Sequence, residues 1–116
     1  MRLSLLQPRI IRGNIEHNLK VIQGLIDESK GDLSVLPEYA LIGSLVLDLE
    51  ADFHDWARKS ADAKARIKVP NDKYLLINSL VETDGKLRNC CELSARGSER
   101  LWENSLTSNR RFLRKS

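Results

Sequence analysis

The sequence predicts an α/β fold, and three observations carry that prediction. Two short apolar runs, at residues 3–6 and 33–36, flank a stretch whose apolar residues recur at helical spacing. That order, strand then helix then strand, is a βαβ unit, whose strands are parallel and whose crossover is right-handed. A second helical stripe follows, and then an Asp84-Gly85 pair set between two further apolar runs, the pattern of a tight hairpin.

Leu3, Leu5 and Leu6 open the first strand, and Pro8 ends it, because proline has no N–H to give to a ladder. Gly13-Asn14 starts the first helix, since an asparagine oxygen can accept an orphan N–H of the first turn. Ile15, Leu19, Ile22 and Ile26 then fall at i, i+4, i+7 and i+11, with Leu25 beside them, as one apolar stripe. Asp27, Glu28 and Lys30 fill the outer face, and Gly31 fits the position just past the helix end. Residues 32–43 read D-L-S-V-L-P-E-Y-A-L-I-G: Leu33, Val35 and Leu36 make a buried strand that Pro37 stops. A loop at 44–48 leads to Leu49, Phe53, Trp56, Ser60, Ala63 and Ile67, a second helical stripe that ends at Pro70. Residues 74–81 are apolar and rich in branched side chains. After the Asp84-Gly85 turn, Leu87, Asn89, Cys91 and Leu93 alternate with Arg88, Cys90 and Glu92, a half-buried antiparallel strand. Residues 94–116 lose all pattern. They read as a loosely ordered tail with at most one short helix or strand near 99–106.

At 116 residues the chain is one domain at most. It has no apolar run of 18 residues, so no membrane-spanning helix is expected. Cys90 and Cys91 are adjacent and ill placed to pair with each other, so a reducing, cytoplasmic setting is expected. The net charge of +3 is misleading when read over the whole chain. Residues 94–116 hold six basic and two acidic side chains, so the body carries −1 and the basicity belongs to the tail. That tail has no basic stripe with interleaved aromatics, which argues against nucleic acid as a partner.

Glu38 is the side chain with the clearest chemical promise. A carboxylate directly after a buried strand sits at that strand's carboxyl end, the rim where α/β proteins bind ligands. Residues 39–42 surround it with apolar side chains, which favours general-base work near neutral pH. The plainer reading is a solvated rim glutamate that caps a turn. The stretch L-P-E-Y-A-L-I-G resembles the glutamate motif of the carbon–nitrogen hydrolase (nitrilase/amidase) superfamily. L-S-L-L-Q-P at residues 3–8 is similar to that family's first strand. Gly13, Asn14 and Asn18 sit where its first helix opens, and residues 75–89 look like its next hairpin, with Asn89 before a strand. The resemblance covers residues 1–93 and fades in the basic tail at 94–116.

The resemblance implies the N-terminal portion of a nitrilase-type αββα sandwich. It also implies hydrolysis of a non-peptide C–N bond in a small-molecule amide or nitrile by a Glu, Lys and Cys triad, without cofactor or metal. Glu38 matches the general base. The lysine belongs near residues 102–106, where this sequence reads W-E-N-S-L, and the cysteine belongs beyond Ser116. The chain is thus expected to be a truncated hydrolase, inactive by itself, and the alternative is a catalytically inactive remnant or an oligomerisation or interaction module of that fold. Cys90 and Cys91 lie inside a strand, where a free cysteine is usually a small hydrophobe. His17 and His54 are isolated in sequence and suit structural roles better than metal binding. Lys73 and Lys86 flank strands as solvated ends, and Asn89 is expected to bond backbone near the site.

Overall fold

A computed structural model describes residues 1–43 and 52–95, and the backbone of residues 98–103. The elements in chain order are β1 (Leu3–Leu5), α1 (Ile15–Glu28), β2 (Leu33–Val35), α2 (Phe53–Ala65), β3 (Tyr74–Thr83), β4 (Lys86–Ala95) and β5 (Ser98–Glu103). The strands form one sheet in the order β1-β2-β3-β4-β5. β1, β2 and β3 are parallel, with α1 and α2 in the two crossovers, while β4 and β5 return antiparallel. The α/β expectation therefore holds. The loop at 44–48, Leu49 and residues 104–116 lie outside the described residues.

Local chemistry explains most element ends. Asn14 caps α1 by accepting the His17 N–H at 3.1 Å. Asp52 caps α2 in the same way through Asp55 N–H. Asp84 and Gly85 both adopt positive φ, the geometry a two-residue hairpin needs. α2 ends at Ala65, before the expected stop at Pro70. Gln23 on α1 provides a reason: its side-chain amide accepts from Lys68 N–H and donates to Lys68 C=O, both at 2.9 Å. That pair ties Lys68 to α1, just beyond the end of α2. Gly31 has a different role from the one its position suggested. Ser29 is the C-cap, and Gly31 lies buried against β1, where an added Cβ would sit 2.4 Å from Ser4 Oγ and 3.0 Å from Arg2 O.

The two faces of the sheet are covered unequally. On the helix face, Ile22 and Ile26 of α1 are essentially fully buried and belong to one core cluster with Leu36, Leu75 and Ile77. Burial of this kind contributes about 1.5–3 kcal/mol per large side chain. α2 presents Ala57, Ser60 and Ala63, small residues that let the helix lie close to β3. The register aligns Leu3, Leu33, Tyr74 and Ala95 in one row of the opposite face, and Leu5, Val35, Leu76 and Leu93 in the next. None of these eight is buried, and Leu3, Leu5 and Tyr74 are 58%, 68% and 45% exposed. In β2 the buried residue is Ser34, with its hydroxyl 2.9 Å from that of Ser29. The apolar side chains of this strand face the less covered side.

Two glycines should respond to alanine with opposite signs. Gly31→Ala is expected to cost about 1–3 kcal/mol, since backbone of β1 blocks the new methyl group. Gly24→Ala, within α1 and with nothing within 4 Å of the new Cβ, should gain about 0.5–1 kcal/mol. Urea unfolding midpoints at unchanged m-value check both.

Candidate active site

The site is built where β2 runs out. Leu36 N–H makes the last ladder bond, to Leu76 C=O at 3.1 Å, and Pro37 has no N–H with which to continue. Glu38 follows at the carboxyl end of this parallel strand, on the rim where the sequence placed it. The chain then turns under the helices. Tyr39 takes a left-handed backbone with φ +53°, a conformation that costs a non-glycine residue about 1–3 kcal/mol. Its carbonyl closes the turn by accepting from Ile42 N–H at 3.2 Å and Gly43 N–H at 2.8 Å. Gly43 needs its positive φ of +77°, and a Cβ there would meet Arg12 Cα at 2.9 Å.

Buried amides hold this turn from two sides. Asn18 is fully buried on α1. It accepts from Ile11 N–H at 2.8 Å and donates to the carbonyls of Ile11 and Leu41, both at 2.9 Å. From the sheet side, Asn78 Oδ1 accepts the Tyr39 N–H at 3.1 Å. Asn78 Nδ2 donates to Asn89 Oδ1 and lies 3.6 Å from Cys91 Sγ. Asn89 Nδ2 in turn donates to Glu38 Oε2 at 2.9 Å. Asn89 therefore reaches the carboxylate itself, where the sequence reading had it bonding backbone. Asn78 was missed, although an asparagine within the apolar run Y-L-L-I-N-S-L-V has to find a partner once buried.

Residues 39–42 are buried as expected, but the Glu38 side chain stands at the surface. The Tyr39 phenol is the group the burial acts on. Desolvation first, then the charges of Glu38 and Cys90, push its pKa up to about 12, so it stays protonated. Cys90 is buried, and Cys91 is half-buried beside Asn78 on the opposite side of β4. The structure thus brings Cys91, and not Cys90, to the amide pair that holds Glu38.

A cleft of about 770 Å³ lies elsewhere, between the end of α2 and β3–β4, and Glu38 does not line it. At its floor Lys64 donates to Glu92 at 2.7 Å and to Ser79 at 3.1 Å, with the Lys64 and Glu92 side chains only 14% and 7% exposed. Glu92 alternates with apolar residues along β4, but α2 covers its side of the sheet, so the carboxylate is buried and paired. The other candidates fall away from Glu38. His17 Nε2 lies 3.3 Å from Arg9 C=O, His54 pairs with Glu82 at 3.1 Å, and Lys73 donates to Ser29 C=O. Lys86 is exposed beside the hairpin turn. Among the described residues no cluster of three His, Cys, Asp or Glu side chains could hold a metal ion.

Compared with protein-family models and with curated proteins, the chain matches none. Solved structures do share its fold. It is similar to a glutamine-dependent NAD(+) synthetase from Cytophaga hutchinsonii, with TM-score 0.79 at 22% identity over 94% of this chain and 20% of that one. It is similar to a carbon–nitrogen hydrolase from Helicobacter pylori G27, with TM-score 0.69 at 16% identity over 97% of this chain and 43% of that one. A carbon–nitrogen hydrolase superfamily protein from Xanthomonas campestris, with an arsenic adduct in its active site, gives TM-score 0.59 at 18% identity over 89% and 40%. The chain therefore has the α/β fold of carbon–nitrogen hydrolase superfamily proteins, and it spans between a fifth and about two-fifths of their length.

The Lys64–Glu92 pair should respond asymmetrically to substitution. Lys64→Met alone leaves a buried carboxylate without its cation and is expected to cost about 3–5 kcal/mol. The double variant Lys64→Met/Glu92→Leu should recover most of that loss. Unfolding midpoints of the two singles and the double close the cycle.

Proposed function

We propose that this chain forms part of a carbon–nitrogen hydrolase domain in which Glu38 is the general base for hydrolysis of a small-molecule amide or nitrile. One observation carries the reading: a carboxylate at the carboxyl end of a parallel strand, held through one oxygen by Asn89 on the neighbouring hairpin. Among the described residues Glu38 Oε1 has no hydrogen-bond partner, so it can take a proton. In the reaction implied by the resemblance, Glu38 removes the proton of a cysteine thiol as sulfur attacks the substrate carbon, and a lysine stabilises the oxyanion. For an amide, the proton passes to the leaving amine or ammonia; for a nitrile, it passes to the nitrile nitrogen to give a thioimidate, from which a first water releases ammonia and leaves the acyl-enzyme. Water then cleaves the acyl-enzyme, giving the acid and restoring the thiol. This sequence carries no lysine in W-E-N-S-L and no cysteine other than Cys90 and Cys91, so among its residues the proposal assigns a catalytic role to Glu38 alone.

A second reading, a non-catalytic module that associates with itself, is favoured by the apolar face with Leu3, Leu5 and Tyr74 exposed. The two readings make separate predictions. The 116-residue chain should release no ammonia from a panel of amides and nitriles that includes glutamine. Replacing the equivalent segment of the Helicobacter pylori hydrolase with residues 1–95 should give a hydrolase whose kcat/KM falls about 10²–10⁴-fold on Glu38→Gln. A folded, active chimera that is indifferent to Glu38→Gln would overturn the assignment. So would turnover by the chain alone that is lost in Cys91→Ser. For the second reading, sedimentation should find oligomers that dissociate in Leu3→Lys/Leu5→Lys, and a monomer throughout would rule it out.

A further inference from the structure

One backbone N–H fixes the orientation of two side-chain amides beside Glu38. Tyr39 N–H can only donate, so the Asn78 atom facing it at 3.1 Å is the acceptor, Oδ1. Nδ2 of Asn78 is therefore turned toward β4, where it donates to Asn89 Oδ1 and approaches Cys91 Sγ. With Oδ1 of Asn89 occupied in this way, Nδ2 of Asn89 is the atom presented to Glu38 Oε2, at 2.9 Å. We infer that Asn78 is a positioning residue for Glu38, acting through Asn89 in a relay whose polarity is set by the Tyr39 N–H. The inference rests on reading Glu38 as the site's base, and it names a residue that holds the donor facing that carboxylate.

The relay is directional, and that separates it from simple packing. Asn78 and Asn89 are 8% and 2% exposed, so water competes poorly for their amides. A flip at Asn89 would set its carbonyl oxygen against the carboxylate, lone pairs facing lone pairs, and drive the Glu38 side chain from its place. A residue that accepts from Tyr39 and donates to Asn89 opposes the flip. Aspartate has nearly the same shape and can accept, but when ionised it cannot donate. Leucine fills the volume and does neither.

The test is spectroscopic and uses the whole 15N-labelled chain. In the parent, one Asn89 side-chain amide proton should resonate downfield of a free asparagine, exchange slowly with solvent, and move upfield in Glu38→Gln. In Asn78→Asp that signature should be lost and side-chain exchange should quicken by at least about tenfold, while the backbone amides of β3 and β4 keep their positions. Asn78→Ser, uncharged and too short to bridge, should give the same loss where aspartate fails to fold. Survival of the signature in a folded Asn78 variant overturns the relay. If neither variant folds, the parent decides, and an Asn89 amide indifferent to Glu38→Gln overturns it. None of these readouts uses turnover, so an inactive Glu38 and an absent relay are told apart.

Discussion

Residues 37–43 must leave a buried sheet and pass beneath a helix without stranding a backbone polar group, and buried asparagines meet that constraint from both sides. Asn18 ties the loop before α1 to the Leu41 carbonyl, so the first helix, the loop leading into it and the turn after β2 form one unit. Asn78 takes the Tyr39 N–H from the sheet side. Each orphan group left unpaired in such a place costs about 1–3 kcal/mol. Between these anchors the chain tolerates a left-handed tyrosine, and Glu38, the residue just before it, is delivered to the rim. Its position follows from the pairing of its neighbours more than from any contact of its own.

β3 and β4 carry two polar clusters back to back. Asn78, Asn89 and Cys91 meet on the Glu38 side, while Ser79 and Glu92 meet Lys64 on the helix side. Adjacent residues of one strand point to opposite faces, so a slip of one residue would exchange the clusters. It would place Cys90 and Glu92 beside Glu38 and leave Asn89 under α2. A buried carboxylate tolerates that exchange poorly, because its cation stays behind on the helix. The ion pair beneath α2 and the amide pair beside Glu38 therefore favour the same register, and each discourages the slip that would dismantle the other.

The likeness to carbon–nitrogen hydrolase structures is one of fold, and fold alone does not carry chemistry. Of the residue types that the proposed reaction would use, this sequence has a carboxylate, Glu38, at the end of β2 and two cysteines within β4. The thiol that approaches the site, Cys91, does so as a neighbour of Asn78, halfway along β4. The less covered sheet face lies on the same side as this cluster, toward the other end of the strands, where the rows from Leu3 to Ala95 and from Leu5 to Leu93 run.

The sequence by itself determined the order of elements, the Asn14 cap, the hairpin at Asp84-Gly85 and the place of Glu38 after a strand. Each depends on local chemistry: a side chain that caps its own helix, a turn that needs positive φ, a proline that ends a ladder. What the tertiary structure decided involves residues far apart in the chain. Gly31 looked like a helix stop because its neighbours do, and only the approach of β1 shows that a side chain would not fit. Glu92 looked solvent-facing because it alternates with apolar residues, and only α2 lying across that face buries it. Asn89 was legible as a site residue, but its bond to Glu38, 51 positions away, was not. Asn78 was a polar letter in an apolar run until the turn at Tyr39 brought it a donor. Burial and hydrogen-bond partnership belong to pairs of segments, so a pattern read along one segment can mark where a polar side chain must be satisfied and cannot name the group that satisfies it.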